Sequence, residues 1–527
     1  MRGDRLDPAL ALGTILAPAA VAALGHSLVT SSVAALLAVV LGFGAAVIVG
    51  IVDIAGRRVF AFLFMLSMLT APQVVALAFV TASGPSSPLL LALDLAPAPG
   101  SPNPVFGSVG ISLILGLHHA PLAFAILRSG LRQLPRELID AASLDGARRL
   151  AVLSHIIVPL MRGHIAAATL LAFSASLGNF GIPALLGLPV EYLTLPTLIY
   201  RELSSLGPAV IGDAAALGSL TALLAALGVV GARLTGGAQQ PGLEAGTPPD
   251  GAWRPGGWRF ALWALLALLT GVALVLPLAS LAAAAFVPTY GVKLSLTTLT
   301  LDNFVEVLSR QAVTLRAFRN SFLFATAAGI GCTLVALPVA YALRCFLPRL
   351  RPLAEMLFDL PNALPGIVLA VAAILVFLRP LPLLGVSLYG TPAIIVIAYL
   401  SRFFLFPLRS VLAALDQTDP GVEEAAALCG AGLAARLRHV IAPIVAPAAT
   451  AGGLLVFLFA FNELTVSALL WSGGTETLGV VLLSLEEAGF ASQAAALALC
   501  TAAVVLLLCL ALQAASRVLP RGILPWD

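Results

Sequence analysis

The sequence predicts an all-α polytopic transmembrane protein made of two pseudo-symmetric helical halves, with about eleven membrane-spanning helices and a candidate twelfth. Composition, the spacing of apolar runs and an internal duplication predict it. Of 527 residues, 60% are hydrophobic and 10% charged, against about 25% charged in an ordinary soluble domain, so hydrocarbon is the main solvent. A bilayer core about 30 Å thick takes about 20 apolar residues in helical form. Such runs fall at 27–50, 60–82, 106–128, 165–187, 213–233, 258–287, 320–344, 354–379, 390–412, 447–470 and 492–516. The segment at 9–24 is the candidate twelfth, broken by Pro18 and better suited to the interface.

Arginine placement orients these spans, because short cytoplasmic loops retain Lys and Arg. Arg57 and Arg58, the group from Arg128 to Arg162, Arg233 with Arg254 and Arg259, Arg344 with Arg349 and Arg351, Arg436 with Arg438, and the terminal Arg517 and Arg521 occupy every second connection. The connections at 83–105 and 471–491 hold no Lys or Arg, and the 288–319 loop, with Lys293 and three arginines, is the exception. The expected C-terminus is cytoplasmic and the N-terminus external. A net charge of +3 gives no reason to expect nucleic acid as a partner. The first apolar stretch carries Pro18 and leads straight into another, unlike a cleavable signal peptide. Five cysteines without CxxC spacing read as reduced packing residues.

The duplication has a constant offset of 284 residues. Ala141, Ala142, Gly146, Leu153, His155, Ile157 and Pro159 match Ala425, Ala426, Gly430, Leu437, His439, Ile441 and Pro443, and the register continues from Phe173 and Ala184 to Phe457 and Ala468. An Ala/Leu-rich chain supplies matched alanines by chance, but not Gly, His and Pro in one register. His26-Ser27 and Asn320-Ser321 open equivalent spans. The expected organisation is a first half over 1–235 with about five spans, a flexible cytoplasmic linker over 236–257 rich in Gly and Pro, and a second half over 258–527 with about six. Two five-span cores joined directly would sit inverted, and the extra span at 258–287 restores parallel orientation. Because the first half lacks that span, a further helix upstream of Met1 is expected.

The duplicated loops, 129–163 and 413–445, run from Asp140-Ala141-Ala142 to Gly146 and Pro159, and from Glu424-Ala425-Ala426 to Gly430 and Pro443. This pattern resembles the EAA loop of binding-protein-dependent ABC-importer permeases. The resemblance implies a short coupling helix, a turn and a second helix, the first fitting a groove on an ATPase subunit. Small alanines permit close approach, and each glycine permits a turn. The acids are expected near helix starts opened by Pro135 and Pro420, where the dipole favours them, and Pro159 and Pro443 are expected to begin the next membrane helix. Asp140 stands where the family has Glu. His155 and His439 read as packing or polar contacts, and His118-His119 has no carboxylate or Cys at metal-ligand spacing.

No GxxxxGK[ST] sequence occurs, and the only lysine is Lys293. No enzyme activity, metal or cofactor is therefore expected in this chain, and the resemblance assigns Mg-ATP to a partner ATPase. It further implies two ATPase copies, a periplasmic or lipid-anchored substrate-binding protein, surrounding membrane lipid, and residence in the bacterial inner membrane. Asn179 to Gly187 with Leu195 to Tyr200, and Glu463 to Leu470 with Gly474 to Gly479, resemble fused ferric-iron importer permeases. Importers of thiamine, aminoethylphosphonate or polyamine are the alternative cargo readings. By the 284 offset Asn179 matches Glu463, and two readings stay open for these: a transport pathway, or hydrogen-bonded structure. An ion-coupled secondary transporter is the rival from another class, and it would carry more ionisable residues deep in several spans.

Overall fold

The computed structural model describes residues 8–205, 210–236, 251–381 and 385–515. Within them every regular element is helical, apart from an isolated bridge between Val52 and Trp253. Most of the 236–257 linker, Arg517 and Arg521 lie outside the described residues.

Among the described residues seven helices are long and apolar enough to cross a membrane, and up to twelve if each of five bent pairs forms one span. Pro18 does not split a twelfth span from the first. It opens the 34-residue helix Pro18–Ile51 at N1, where a missing N–H is harmless, and Pro8–Ile15 stands before it as a separate short helix. The 60–82 run divides into Arg57–Ser67 and Pro72–Ala82, bent by 98°, and the 354–379 run into Arg351–Asn362 and Gly366–Phe377, bent by 97°. Proline at or just before the start of each second piece accounts for the break, since it disfavours helix in the residue before it.

The 165–187 run is two elements rather than one span. Arg162–Leu177 ends at Gly178, and Gly181–Gly187 starts anew and pairs with Leu195–Leu203 at a bend of 75°. The 447–470 run divides alike into Ala442–Phe461 and Ser467–Leu470. Apolar periodicity cannot see either break, because both pieces are apolar.

The chain packs as two units. Among the described residues, the first comprises those up to 305 with 485–499, and the second those from 306 to 484 with 500–515. The 258–287 span, read from the sequence as the leader of the second half, packs in the first unit: Ser280 donates to the Ala78 carbonyl at 2.7 Å, and Trp263 meets Phe60 edge-on at 5.1 Å. Sequence repeat and packing unit thus divide the chain at different places. In both units long helices cross at glycines. A Cβ on Gly42 would lie 2.7 Å from the Phe124 amide nitrogen, and one on Gly329 would lie 2.9 Å from the Gly453 carbonyl, the close backbone approach typical of membrane helices. In the second unit Leu408, Val411, Leu412 and Leu415 pack with Tyr341, Ile441 and Val445, which fixes the elements on either side of the second loop.

Candidate functional site

Up to the end of their π turns the two loops agree element for element in structure. Helices Arg136–Leu144 and Pro420–Leu428 are followed by Arg149–Val152 and Leu433–Arg436, then by π turns Leu153–Ile157 and Leu437–Ile441. Every boundary keeps the 284-residue register. Gly146 and Gly430 have φ of +77° and +81°. In the first loop the Gly146 and Ala147 amides donate to Ser143 and Ala142 carbonyls at 3.2 and 3.0 Å; in the second, Gly430 and Ala431 donate to Ala427 and Ala426 at 2.9 and 3.1 Å. This is the Schellman termination, which requires a left-handed residue at the glycine position. A Cβ at either glycine would meet open space, so the backbone angle, not crowding, demands glycine.

Asp140 and Glu424, expected near the helix starts, are the fifth residues of their helices, while Glu137 and Glu423 occupy the first turns. The dipole acts within the first turn and so does not account for an acid at 140 or 424. Asp140 pairs with Arg136 at 3.2 Å, its side chain 52% exposed. Glu424 is exposed, with no ion-pair or hydrogen-bond partner among the described residues. Ala141 and Ala425 are exposed, Ala142 and Ala426 half-buried. Leu144 and Leu428, equivalent residues beside the turns, are each 89% exposed. Sequence reasoning passed over them because leucine is everywhere in this chain.

Pro443 is the second residue of Ala442–Phe461, but the helix runs unbroken from Leu433 through the π turn to Phe461, so Pro443 lies inside a 29-residue helix rather than at its start as expected. Pro159 is not its counterpart in structure: it lies in the short Val158–Leu160 turn, Met161 adopts φ −87° and ψ 0°, and the long helix begins at Arg162 after a bend of 71°. His155 and His439 donate from Nδ1 to the carbonyls of Ala151 and Ala435, four residues earlier, at 3.1 and 3.2 Å. Each thereby supports the π turn in which it lies.

Different forces hold the two loops. In the second unit Glu423 accepts from the Tyr341 hydroxyl and pairs with Arg436 at 3.3 Å, while Arg344 donates to the Thr418 carbonyl at 3.0 Å. The register places Ile139 and Val152 at the positions of Glu423 and Arg436, and these are 2% and 1% exposed. An apolar pair in one loop therefore stands where a charge pair stands in the other.

Asn179 and Glu463 are each 7% exposed, and each starts a new helix after a break. Asn179 Oδ1 accepts from the Ile182 amide at 3.1 Å. Glu463 accepts from the Val466 amide at 2.9 Å, the Ser467 amide at 3.2 Å and the Thr465 hydroxyl, and Arg402 lies 3.6 Å away. His119 Nδ1 lies 3.1 Å from Ser176 Oγ. The span openings also agree: the Leu195 amide donates to Ser27 Oγ at 2.8 Å and the Leu478 amide to Ser321 Oγ at 2.9 Å. Among the described residues no group of three or more His, Cys, Asp or Glu could hold a metal.

Comparison with known proteins agrees with this duplicated geometry. A family model described as "Binding-protein-dependent transport system inner membrane component" matches residues 14–236 and again 334–524. A probable ABC transporter permease of Sinorhizobium fredii is 28% identical over 447 residues, 81% of this chain and 75% of the relative. A ferric transport system permease of Actinobacillus pleuropneumoniae is 25% identical over 430 residues, 81% of this chain and 61% of that longer protein. A putative 2-aminoethylphosphonate transport system permease of Salmonella typhimurium is 28% identical over 214 residues, 41% of this chain and 78% of the relative. With one match for each copy of the loop, the chain belongs to the binding-protein-dependent transport system inner membrane components, as an ABC-importer permease in the fused two-copy form.

Proposed function

We propose that this chain supplies both permease halves of an importer that brings ferric iron from a binding protein into the cytoplasm by alternating access. Two cytoplasmic ATPase copies dock on it, one on each loop. Asp140, Ala141, Ala142 and Gly146 form the docking face of the first loop, and Glu424, Ala425, Ala426 and Gly430 that of the second, with Pro159 and Pro443 leading back toward the membrane. Closure of the ATPase pair pushes on both helices and rocks the halves apart toward the docked binding protein; ATP hydrolysis, carried out by the partner, resets them. The chain itself is not an enzyme and holds no cofactor. It lies in the bacterial inner membrane with its C-terminus cytoplasmic, and its exposed leucines and valines, such as Leu36, Val40, Leu334 and Leu507, face lipid.

The observation that carries this reading is the loop pair itself: helix, left-handed glycine and π turn repeated in one register. A secondary transporter needs no such pair on its surface. For the cargo, support comes from the ferric permease, matched through both halves over 81% of this chain. Glu463 serves as a helix cap in this reading rather than as a cation ligand, because its oxygens already accept from the chain. The test is ATPase stimulation by the binding protein loaded in turn with ferric iron, aminoethylphosphonate, thiamine or a polyamine. Stimulation by iron supports the cargo assignment. Stimulation by another solute alone overturns it while keeping the importer.

A further inference from the structure

The second unit holds a buried charge pair that the first unit replaces, position by position, with neutral groups. Arg402, in the last turn of Pro392–Phe403, donates from Nη1 to Thr465 Oγ1 at 3.1 Å and lies 3.6 Å from Glu463, with side chains 19% and 5% exposed. Glu463 caps the turn that leads into Ser467–Leu470. A Cβ on Gly366 would invade the space of both Thr465 Oγ1 and Arg402 Nη1, so the guanidinium also lies against the start of Gly366–Phe377. Three helix interruptions therefore meet at one ion pair: the 97° bend before Gly366, the 40° bend after Phe403, and the break between Phe461 and Ser467.

The 284-residue register aligns Arg402 with His118, Glu463 with Asn179 and Thr465 with Gly181. The bend before Gly366 corresponds by its shape to the 98° bend of the first unit, where Pro72-Gln73 stands for Pro365-Gly366 at an offset of 293 residues. There the sizes are exchanged. A Cβ on Gly181 would lie 3.0 Å from the Gln73 amide nitrogen and 3.2 Å from its Oε1, so Gln73 fills what Gly366 leaves open for arginine. Four positions change together. Packing alone does not call for the charges, because the first unit closes the same junction without them, and a charge pair among membrane helices is expensive to bury.

The geometry points to Arg402 and Glu463 as positioning residues for transport: their ion pair, admitted by Gly366, ties the three interruptions together so that the second half moves as one body when the ATPase drives it. This rests on the transport function proposed above. Neither side chain needs to touch the cargo.

The test compares Arg402→Met, Arg402→Lys, Arg402→Met with Glu463→Gln, and Gly366→Ala in the wild-type and doubly neutral backgrounds. Two quantities are read: the melting temperature of the purified chain in detergent, and cargo moved per ATP hydrolysed in vesicles with ATPase and binding protein. Arg402→Met alone leaves a carboxylate unpaired and lowers melting. The double variant regains melting but still moves about tenfold less cargo per ATP, within the usual range of coupling energies. Arg402→Lys keeps more coupling than Arg402→Met. Gly366→Ala reproduces the coupling loss in the wild type and adds less in the double variant, where only its contact with Thr465 remains. A doubly neutral chain that couples like wild type, or Gly366→Ala acting equally in both backgrounds, overturns the inference. A wild-type assembly without ATP-driven transport overturns the function reading instead, and the melting response to Gly366→Ala in the two backgrounds still decides whether the tie exists.

Discussion

Replacing Glu423 by Ile and Arg436 by Val would rewrite the second loop in the terms of the first. The first loop supplies the template, since Ile139 and Val152 occupy these positions almost fully buried. Glu423→Ile alone removes the acceptor of the Tyr341 hydroxyl and strands Arg436, whose side chain is 25% exposed. A fully buried pair broken on one side costs about 3–5 kcal/mol. Residual solvation of this pair, with Glu423 21% exposed, reduces that to about 2 kcal/mol. In the double variant no charge is stranded, and burying two aliphatic side chains returns about 1.5–3 kcal/mol each at most, less the loss of the tyrosine hydrogen bond. The double variant should therefore lie within about 1 kcal/mol of wild type, well short of the sum of the two single effects. The assay is thermal unfolding of the purified chain in detergent, followed by binding-protein-stimulated ATPase activity. Effects of the two substitutions that simply add would refute the claim that the charge pair is exchangeable for the apolar pair.

Gly146→Ala and Gly430→Ala should each weaken ATPase stimulation through backbone strain of about 1–2 kcal/mol, and Asn at either position should be milder; equal effects of Ala and Asn in the stimulated ATPase assay would contradict this. Leu144→Ser with Leu428→Ser should leave melting unchanged, because both side chains are exposed, yet weaken ATPase binding at least as much as loss of an apolar interface anchor does elsewhere, about 1–2 kcal/mol in a titration. Burial raises the Glu486 carboxyl from 4.5 to about 6, so the folded state holds more protons than the unfolded one between those values and stability falls as pH rises through them, by about 2 kcal/mol. Glu486→Gln should thus raise melting at pH 8 and change nothing at pH 4. Glu476 runs the other way: hydrogen bonds from Arg316 at 2.9 and 3.0 Å hold it near 2, so its stabilisation is present above pH 4.5 and fades as pH falls toward 2. Glu476→Gln should lower melting at pH 7 by more than at pH 3.

Much of this was legible in the residues. Long apolar runs mark spans because hydrocarbon thickness sets their length, and the loops were found because Gly, His and Pro recur at a fixed offset. What escaped falls into two kinds. Breaks inside apolar runs, at Gly178 and after Phe461, leave hydropathy unchanged and announce themselves only through the caps Asn179 and Glu463. Partners distant in sequence escaped as well. Arg402 stands 61 residues before Glu463, and the packing of Ser280 on Ala78 is invisible to any local pattern. The exchange of Ile139 and Val152 for Glu423 and Arg436 was readable in principle, once the 284-residue register was applied to positions that differ as well as to those that agree.

The measurement that bears most directly on the account is uptake into proteoliposomes containing this chain, its ATPase and an iron-loaded binding protein, with ATP inside or absent. The account predicts accumulation of ferric iron only with ATP, abolished when Gly146 and Gly430 are both replaced by valine. Accumulation that continues without ATP, or that survives the double replacement, would contradict it.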